Sequence, residues 1–274
     1  MGRLRISAIS FLNTTPLMWD FDHGPAGDNF DISYTVPSAC AADLAKGNAD
    51  IGIIPAAAYT TVPNLVILPG VAIASRQEVR SILLVSKVPV EKIQTVALDT
   101  SSLTSVALVK VLFARWWGGE TTFTSMDPDL ESMLLQNDAA LLIGDSALKV
   151  NRSKFLTYDL AEEWFRFTGK PFVFAFWAVR QEVLSRSSLD LCAVFNKSRD
   201  HGLEPNHVAQ IVHAWSSKLG ISEQTARDYL TGSIHFHLDD DCLDGLRLFY
   251  AYAHRYGILP AIPRLSFVEA QVSQ

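Results

Sequence analysis

The chain has 274 residues, of which 49% are hydrophobic and 19% are charged, and its formal net charge at pH 7 is −6. This length suits one large domain or two modest ones, and the composition is that of a globular protein rather than a disordered one. The negative charge and the lack of a long basic run argue against a nucleic-acid-binding surface, so any anionic ligand must be recognised by local groups.

Short apolar runs alternate with helical patterns through most of the first half of the chain. The predicted strands are Leu4–Ile9, Asp31–Val36, Ala49–Ile54, Val66–Leu68, Ser81–Val85, Thr95–Leu98, Thr121–Thr124 and Ala139–Ile143. The helical patterns between them are Ser38–Lys46, Pro55–Thr61, Thr104–Trp117 and Asp129–Gln136. This alternation predicts an α/β architecture with largely parallel sheets.

From about Gln181 onward the pattern becomes mostly helical. The predicted helices are Glu182–His201, Pro205–Leu219, Glu223–Leu230 and Asp239–Tyr256, and each is followed by a glycine that suits a helix end. The aromatic run KPFVFAFWAVR, residues 170–180, predicts a long strand just before these helices.

Two features of the chain suit a division into two lobes. The connection Ser86–Gln94 is polar and contains proline, and the long strand at 170–180 provides a return crossing. We therefore expect a discontinuous first lobe, residues 1–90 plus 181–274, and a second lobe of residues 91–180. A ligand would lie in the cleft between them, at the carboxyl ends of the strands. This is the two-lobed plan of type 2 periplasmic binding proteins.

Four predicted strand ends lead into small or hydroxyl-bearing residues. Ile9 is followed by SFLNTTP, Ile54 by Pro55, Leu98 by DTSSLTS and Ile143 by GDSAL. A helical pattern follows each of them, and the free N–H groups and positive dipole end of a helix start bind anions. We expect the four strand ends to converge on one polar ligand.

Helix capping is the alternative explanation for the same residues. Asn13 stands where an N-cap would be, with Pro16 in the first turn. Gly144 can be explained by a positive φ or by close packing, and Asp145 can be explained as the cap of the short helix after it. At the third strand end five hydroxyl side chains stand together, where one or two would serve as a cap: Thr100, Ser101, Ser102, Thr104 and Ser105. That excess favours a ligand-binding role.

No pattern for a metal, a nucleotide or a nucleophilic enzyme stands out. His235 and His237 are two residues apart, but no Cys or carboxylate stands at a familiar ligand spacing from them, so we expect no metal. The sequence has no GxSxG, P-loop or GxGxxG motif.

The cysteines and the N-terminus bear on localisation. The three cysteines, Cys40, Cys192 and Cys242, are widely spaced and indicate buried thiols in a reducing compartment. The first residues enter a strand-like run without the apolar core of a signal peptide, and no later run approaches the roughly 20 apolar residues of a membrane span. We therefore expect a cytoplasmic protein that is not membrane-bound. The sequence is silent on its oligomeric state.

Five segments in register resemble the chorismate dehydratases of the futalosine route to menaquinone. They are SFLNTTPL, VAIASRQEVRSILLVSKVP, LDTSSLTSVAL, ALLIGDSAL and DLAEEWFRFTGKPFVFAFWAVR. The resemblance is close over roughly residues 3–180 and looser in the C-terminal helices. A sister enzyme, which processes cyclic dehypoxanthine futalosine, shares the fold but opens with an SPCPND-like motif. Leu12-Asn13-Thr14 therefore favours the dehydratase.

The resemblance implies a two-lobed hydro-lyase without a cofactor or a metal. Such an enzyme removes water from chorismate, taking hydrogen from C3 and hydroxyl from C4, and yields 3-[(1-carboxyvinyl)oxy]benzoate. By position in the family motifs, Asn13 is expected to orient the substrate or bind the departing hydroxyl, and Ser81 to hold the reacting region. The other residues expected to bind the substrate are Thr14, Ser38, Pro55, Ser102, Thr104, Ser105, Ile143, Gly144 and Asp145.

The base that removes the C3 proton is not evident in the five segments. None of them offers a His or Glu at a position that we would assign to C3. Our hypothesis is that the enolpyruvyl carboxylate of chorismate takes the proton, with Asp145 as the protein alternative. Because this fold also binds ligands without changing them, a solute-binding protein or sensor is the competing interpretation, and the sister enzyme is a third.

Overall fold

A computed structural model of the chain describes residues 3–269. Its strands are β1 (Leu4–Ile9), β2 (Phe30–Thr35), β3 (Ile51–Pro55), β4 (Leu65–Ser75), β5 (Ile82–Ser86), β6 (Thr95–Asp99), β7 (Thr122–Met126), β8 (Ala139–Ile143), β9 (Leu156–Asp159) and β10 (Phe172–Arg180). Its helices are α1 (Trp19–His23), α2 (Pro37–Lys46), α3 (Thr104–Leu112), α4 (Leu130–Gln136), α5 (Gly144–Leu148), α6 (Leu160–Thr168), α7 (Gln181–Leu184), α8 (Leu191–Gly202), α9 (Pro205–Leu219), α10 (Glu223–Asp228) and α11 (Asp240–Arg255). Short 3₁₀ or π segments supplement these elements, among them the 3₁₀ turn Leu12–Met18 after β1.

The strands form two five-stranded sheets, one in each lobe. The strand order is β2-β1-β3-β10-β4 in the first sheet and β7-β6-β8-β5-β9 in the second. In the first sheet β1 runs parallel to β2 and β3, and in the second β6 runs parallel to β7 and β8. β10 and β5 run antiparallel to their neighbours. The predicted two-lobed α/β fold is confirmed. The expectation of largely parallel sheets is wrong, because four of the eight strand pairings within residues 3–269 are antiparallel.

The two crossings between the lobes lie elsewhere than predicted. β5 pairs with β8 and β9, so it belongs to the second sheet, and the chain crosses at residues 76–81 rather than at 86–94. The whole of β10 pairs in the first sheet, so the return crossing precedes Phe172. All five residues of β5 are buried, and a fully buried strand carries no pattern that tells which sheet it joins.

Local chemistry explains two further differences from the predicted elements. The expected helix Glu182–His201 is divided into α7 and α8, because the Asp190 side chain accepts a hydrogen bond from the Ala193 N–H and starts a new helix. β4 continues past the predicted Val66–Leu68 as far as Ser75, and Gly70 takes a positive φ of 85° within it.

The apolar side chains form one large core, which spans both sheets, and a smaller one on the second sheet. The smaller core joins residues of β5, β6 and β8 to α4 and α5. Cys40, Cys192 and Cys242 are free and buried. Within residues 3–269, no helix combines the length and the hydropathy that crossing a membrane requires.

Candidate functional site

A cleft lies between the lobes where several strands end. Ile9 of β1, Pro55 of β3 and Ile143 of β8 line it, together with Ser102 from the loop after β6. The sequence prediction that four strand ends face a common space therefore agrees with the geometry. The cavity measures about 50 Å³, whereas pockets for organic ligands usually have about 300–1,000 Å³. A ligand of that size enters only if the lobes move apart.

The lining of the cleft is largely apolar, with five neutral polar side chains. These are Asn13, Ser81, Ser102, Thr104 and Ser105. Within the described part of the chain, no Asp, Glu, His, Lys or Arg side chain is part of this lining. An anionic ligand here meets hydroxyl, amide and backbone N–H donors rather than a cationic side chain, and no ionisable side chain of the lining is available as a base.

Asn13 is not the cap of the turn in which it lies. Phe11 precedes that turn at the cap position, and its side chain makes no capping bond. Asn13 is 8% exposed, and Thr14 Oγ1 donates a weak hydrogen bond of 3.4 Å to its Oδ1. Capping therefore does not account for Asn13, whose amide lines the cleft.

Ser81 lies in the first crossing, directly before β5. Its carbonyl accepts the Gly144 N–H at 2.8 Å, and its Oγ accepts the Tyr229 hydroxyl at 2.9 Å. Tyr229 is wholly buried and stands 148 residues away in the chain. Tyr229 could not be predicted from the sequence, because no local motif marks it and only the folded chain brings it to Ser81.

Two of the five clustered hydroxyl residues shape the loop after β6. Ser101 donates its N–H and its Oγ–H to Asp99 Oδ1, at 2.9 and 2.5 Å, and Thr100 Oγ1 donates to Asp127 at 3.3 Å. The other carboxylate oxygen of Asp99 accepts the Ile143 N–H at 3.3 Å, which ties β6 to β8. Burial raises the pKa of Asp99, and the hydrogen bonds from Ser101 and Ile143 oppose that shift.

The other three hydroxyl residues line the cleft at the start of α3. Leu103 holds the N-cap position, and Ser102, one residue before it, accepts the Ser105 N–H on Oγ at 3.2 Å and so satisfies a free N–H of the first turn. Thr104 Oγ1 accepts the Ala57 N–H at 3.1 Å from the first lobe. Capping and lining therefore coexist here, and the two explanations that the sequence left open are not exclusive.

Three residues expected to bind substrate lie outside the lining. Ser38 donates its backbone N–H to the Ser101 carbonyl at 3.2 Å, so this N–H is engaged, and the preceding Pro37 lines the cleft instead. Thr14 lines a separate groove of about 500 Å³ on the first lobe. Asp145 Oδ1 accepts the Leu12 N–H at 3.1 Å.

Three hydrogen bonds hold the lobes together around the cleft. They join Leu12 to Asp145, Ser38 to Ser101, and Ala57 to Thr104. Gly144 adds a close approach: its φ is +58°, and a Cβ placed on it would lie 2.7 Å from the Phe11 ring of the first lobe. Each of these contacts depends on the lobes being closed.

Asp145 is therefore a lobe-to-lobe contact rather than a group in the cleft. Burial raises the pKa of its carboxyl, and the hydrogen bond from Leu12 opposes the shift. We expect Asp145→Asn to keep most of the turnover of the ligand, because the amide retains an oxygen for Leu12. Asp145→Ala loses that acceptor and should lower kcat/KM about tenfold, since a hydrogen bond to a charged group is worth about 1.5–3 kcal/mol.

Steady-state kinetics of the two Asp145 variants check this expectation. An Asp145→Asn protein that still binds the ligand but has lost all turnover would instead make Asp145 the base.

A possible metal-binding group near α11 is already engaged in protein contacts. Ligand atoms of His235, Asp239 and Cys242 lie within 4.8 Å of one another. Asp239 accepts the Cys242 N–H at 2.9 Å as the N-cap of α11, and it also contacts His235 at 2.7 Å and Arg76 at 2.6 Å. Burial raises the pKa of the Cys242 thiol to about 12, which disfavours the thiolate that a metal requires. One oxygen of Asp239 therefore serves the helix cap, and His235 and Arg76 share the other.

Comparisons with known proteins add to this geometry. A family model described as menaquinone biosynthesis matches residues 4–255. The chorismate dehydratase of Thermus thermophilus is 28% identical over 240 residues, which cover 81% of this chain and 86% of that protein.

Solved structures show a shared fold at low identity. The alkanesulfonate-binding protein SsuA of Xanthomonas axonopodis pv. citri, bound to MOPS, matches with a TM-score of 0.68 at 14% identity, over 95% of each chain. The CA3427 gene product of Candida albicans, described as having the generic periplasmic binding protein fold, matches with a TM-score of 0.69 at 14% identity, over 100% of this chain and 99% of that one. At such identities the likeness shows the fold alone.

Proposed function

Because the chain belongs to the menaquinone biosynthesis family, we propose that it is a chorismate dehydratase, a hydro-lyase that converts chorismate into 3-[(1-carboxyvinyl)oxy]benzoate and water. The Thermus thermophilus relative carries that activity in its name and aligns over most of both chains. We further propose that the chain acts in the futalosine route to menaquinone and in the cytoplasm. Asn13 and Ser81 then have the roles that the sequence resemblance implies.

The neutral lining of the cleft supports this reaction most directly. Chorismate carries two carboxylates, and the start of α3 offers hydroxyl donors at Thr104 and Ser105 together with the positive end of the helix dipole. The apolar remainder of the lining suits the ring. A dianion held without a cationic side chain keeps its carboxylates reactive, because no neighbouring charge neutralises them.

Loss of the C3 proton is the first chemical step in this proposal. C3 is vinylogous to the ring carboxylate, so the electron pair left by the proton spreads into that carboxylate as an enediolate-like group. Donors at the start of α3 stabilise the charge as it develops. The pair then returns to the ring and the C4–O bond breaks. The hydroxyl leaves as water with the proton that was taken from C3, and the ring becomes aromatic.

The substrate supplies the base in this scheme. The lining offers no ionisable side chain in the described part of the chain, and Asp145 is engaged with Leu12. The enolpyruvyl carboxylate of chorismate is therefore assigned to take the C3 proton. Closure of the lobes brings this carboxylate and the ring into a fixed relation and removes water, which raises the effective basicity of the carboxylate.

Turnover of chorismate tests the proposal. Purified protein is mixed with chorismate, and the carboxyvinyloxy-benzoate is followed by chromatography and mass spectrometry beside an enzyme-free control, because chorismate also rearranges by itself. Product above the control is expected. If chorismate binds but is recovered unchanged, the chain is a solute-binding or sensor protein, and the dehydratase proposal fails.

A further inference from the structure

We propose that Tyr229 is a positioning residue that orients the Ser81 hydroxyl toward the substrate, an inference that rests on the proposed dehydratase function. Tyr229 begins a π-helical turn, Tyr229–Ser233, that follows α10 in the C-terminal part of the chain. Its side chain is 0% exposed, and its hydroxyl lies 2.9 Å from Ser81 Oγ. This buried phenol therefore contacts one of the two residues to which the proposed reaction assigns a role.

The hydrogen-bonding capacity of Ser81 determines what this contact does. A serine hydroxyl has one hydrogen to donate and two lone pairs that accept. The hydroxyl of Tyr229 donates to one lone pair of Ser81 Oγ, so the hydrogen of Ser81 remains for another acceptor. Among residues 3–269 no protein acceptor is found for it, and Ser81 lines the cleft. The hydrogen is therefore directed to an acceptor oxygen of the bound substrate.

Tyr229 stays protonated and so remains a donor. Burial raises the pKa of its phenol well above the usual value, and the nearby carboxylates of Asp145 and Asp159 act in the same direction. Burial outweighs the hydrogen bonding that opposes the shift. A phenol held in this state cannot serve as the base, which leaves orientation of Ser81 as its contribution.

Orientation matters because the serine side chain rotates about its Cα–Cβ bond, which moves Oγ and the hydrogen that it carries. Without the Tyr229 hydroxyl, Ser81 Oγ can leave the rotamer that faces the substrate, and the proportion of molecules with a correctly directed donor falls. A donor that acts on developing charge affects kcat more than KM. Loss of the phenol hydroxyl should therefore appear mainly in kcat.

Tyr229→Phe removes one oxygen and keeps the ring, so it is the appropriate test. We expect kcat for chorismate dehydration to fall about tenfold while KM stays within about threefold. Tyr59→Phe is the matched control, because Tyr59 is also a buried tyrosine, its hydroxyl donates to the Leu65 carbonyl at 3.2 Å, and it lies outside the cleft lining. The control should leave kcat within about twofold of wild type. A Tyr229→Phe protein with wild-type kcat would overturn the inference.

A double-mutant cycle separates positioning from mere stability. If Tyr229 acts through Ser81, the double variant Ser81→Ala, Tyr229→Phe should be no slower than Ser81→Ala alone. Independent, multiplying losses would contradict the inference. Thermal unfolding of every variant shows whether a loss of rate reflects a loss of fold.

A crystal structure of Tyr229→Phe tests the inference apart from turnover. It should show Ser81 Oγ in another rotamer or with another partner. If Ser81 keeps its position and order in Tyr229→Phe, the positioning role is overturned, whatever the wild-type chain does with chorismate. If the wild-type chain binds chorismate without turnover, only the proposed function is refuted. The two failures are therefore distinguishable.

Discussion

Replacing Asn13 by alanine will lower kcat for chorismate dehydration by about 100- to 1,000-fold, the loss seen when one preorganised donor is removed from an active site. The amide of Asn13 lines the cleft and caps no helix, so its removal does not weaken a helix end. In the proposed reaction it binds the C4 hydroxyl as that group departs. The fold should survive, because the residue lies in a turn at the edge of the core.

Asn137→Ala is the matched control for Asn13→Ala. Asn137 is also a buried asparagine, its amide donates to the Met133 carbonyl at 3.1 Å, and it is not part of the cleft lining. This control should lower the unfolding temperature more than Asn13→Ala does, yet retain turnover. Kinetics with chorismate and thermal unfolding measure both effects. An Asn13→Ala protein that turns over chorismate at the wild-type rate would remove Asn13 from the mechanism.

Replacing Gly144 by alanine will lower kcat/KM by about 10- to 100-fold. The new Cβ would stand 2.7 Å from the Phe11 ring, which belongs to the other lobe, so the closed cleft becomes overpacked. Overpacking typically costs about 1–3 kcal/mol, and each 1.4 kcal/mol changes an equilibrium tenfold. The penalty falls on the closed arrangement, because opening the lobes withdraws Phe11 from Gly144.

Gly169→Ala isolates the contribution of the contact with Phe11. Gly169 has a φ of +69°, close to the +58° of Gly144, but a Cβ placed on it meets nothing within 4 Å. Both alanines therefore carry the strain of the left-handed region, about 1–2 kcal/mol, but only the alanine at position 144 contacts the Phe11 ring. Unfolding temperatures should fall in both variants, while only Gly144→Ala loses kcat/KM. Equal kinetics in both would mean that lobe closure does not limit the reaction.

Much of the fold follows from periodicity, because buried strands and amphipathic helices have distinct patterns. The run Ala139–Ile143 was predicted with its observed bounds, as was Pro205–Leu219. The sheet to which β5 belongs was not predictable, since a fully buried strand carries no sign of its partners. The division of α7 from α8 depends on one cap, Asp190, inside a pattern that reads as continuous.

The cleft was predictable from strand ends, but its closure was not. Asn13 and the start of α3 follow parallel strands, which bring their carboxyl ends to one edge, whereas Ser81 was identified only through the family resemblance. Tyr229, by contrast, comes from a helical segment with no marker, and the pairing of Gly144 with Phe11 exists only when two lobes meet. The sequence did not settle the role of Asp145, because a carboxylate at a strand end can act either as a base or as the acceptor of a backbone N–H.

A crystal structure of Asn13→Ala grown with chorismate tests most directly whether chorismate is converted inside the cleft between the lobes. We expect intact chorismate or its product between Ser81 and the start of α3, with a carboxylate at Thr104 or Ser105. Chorismate bound instead in the groove beside Thr14 would contradict conversion in the cleft, as would a cleft that stays closed and empty at saturating chorismate.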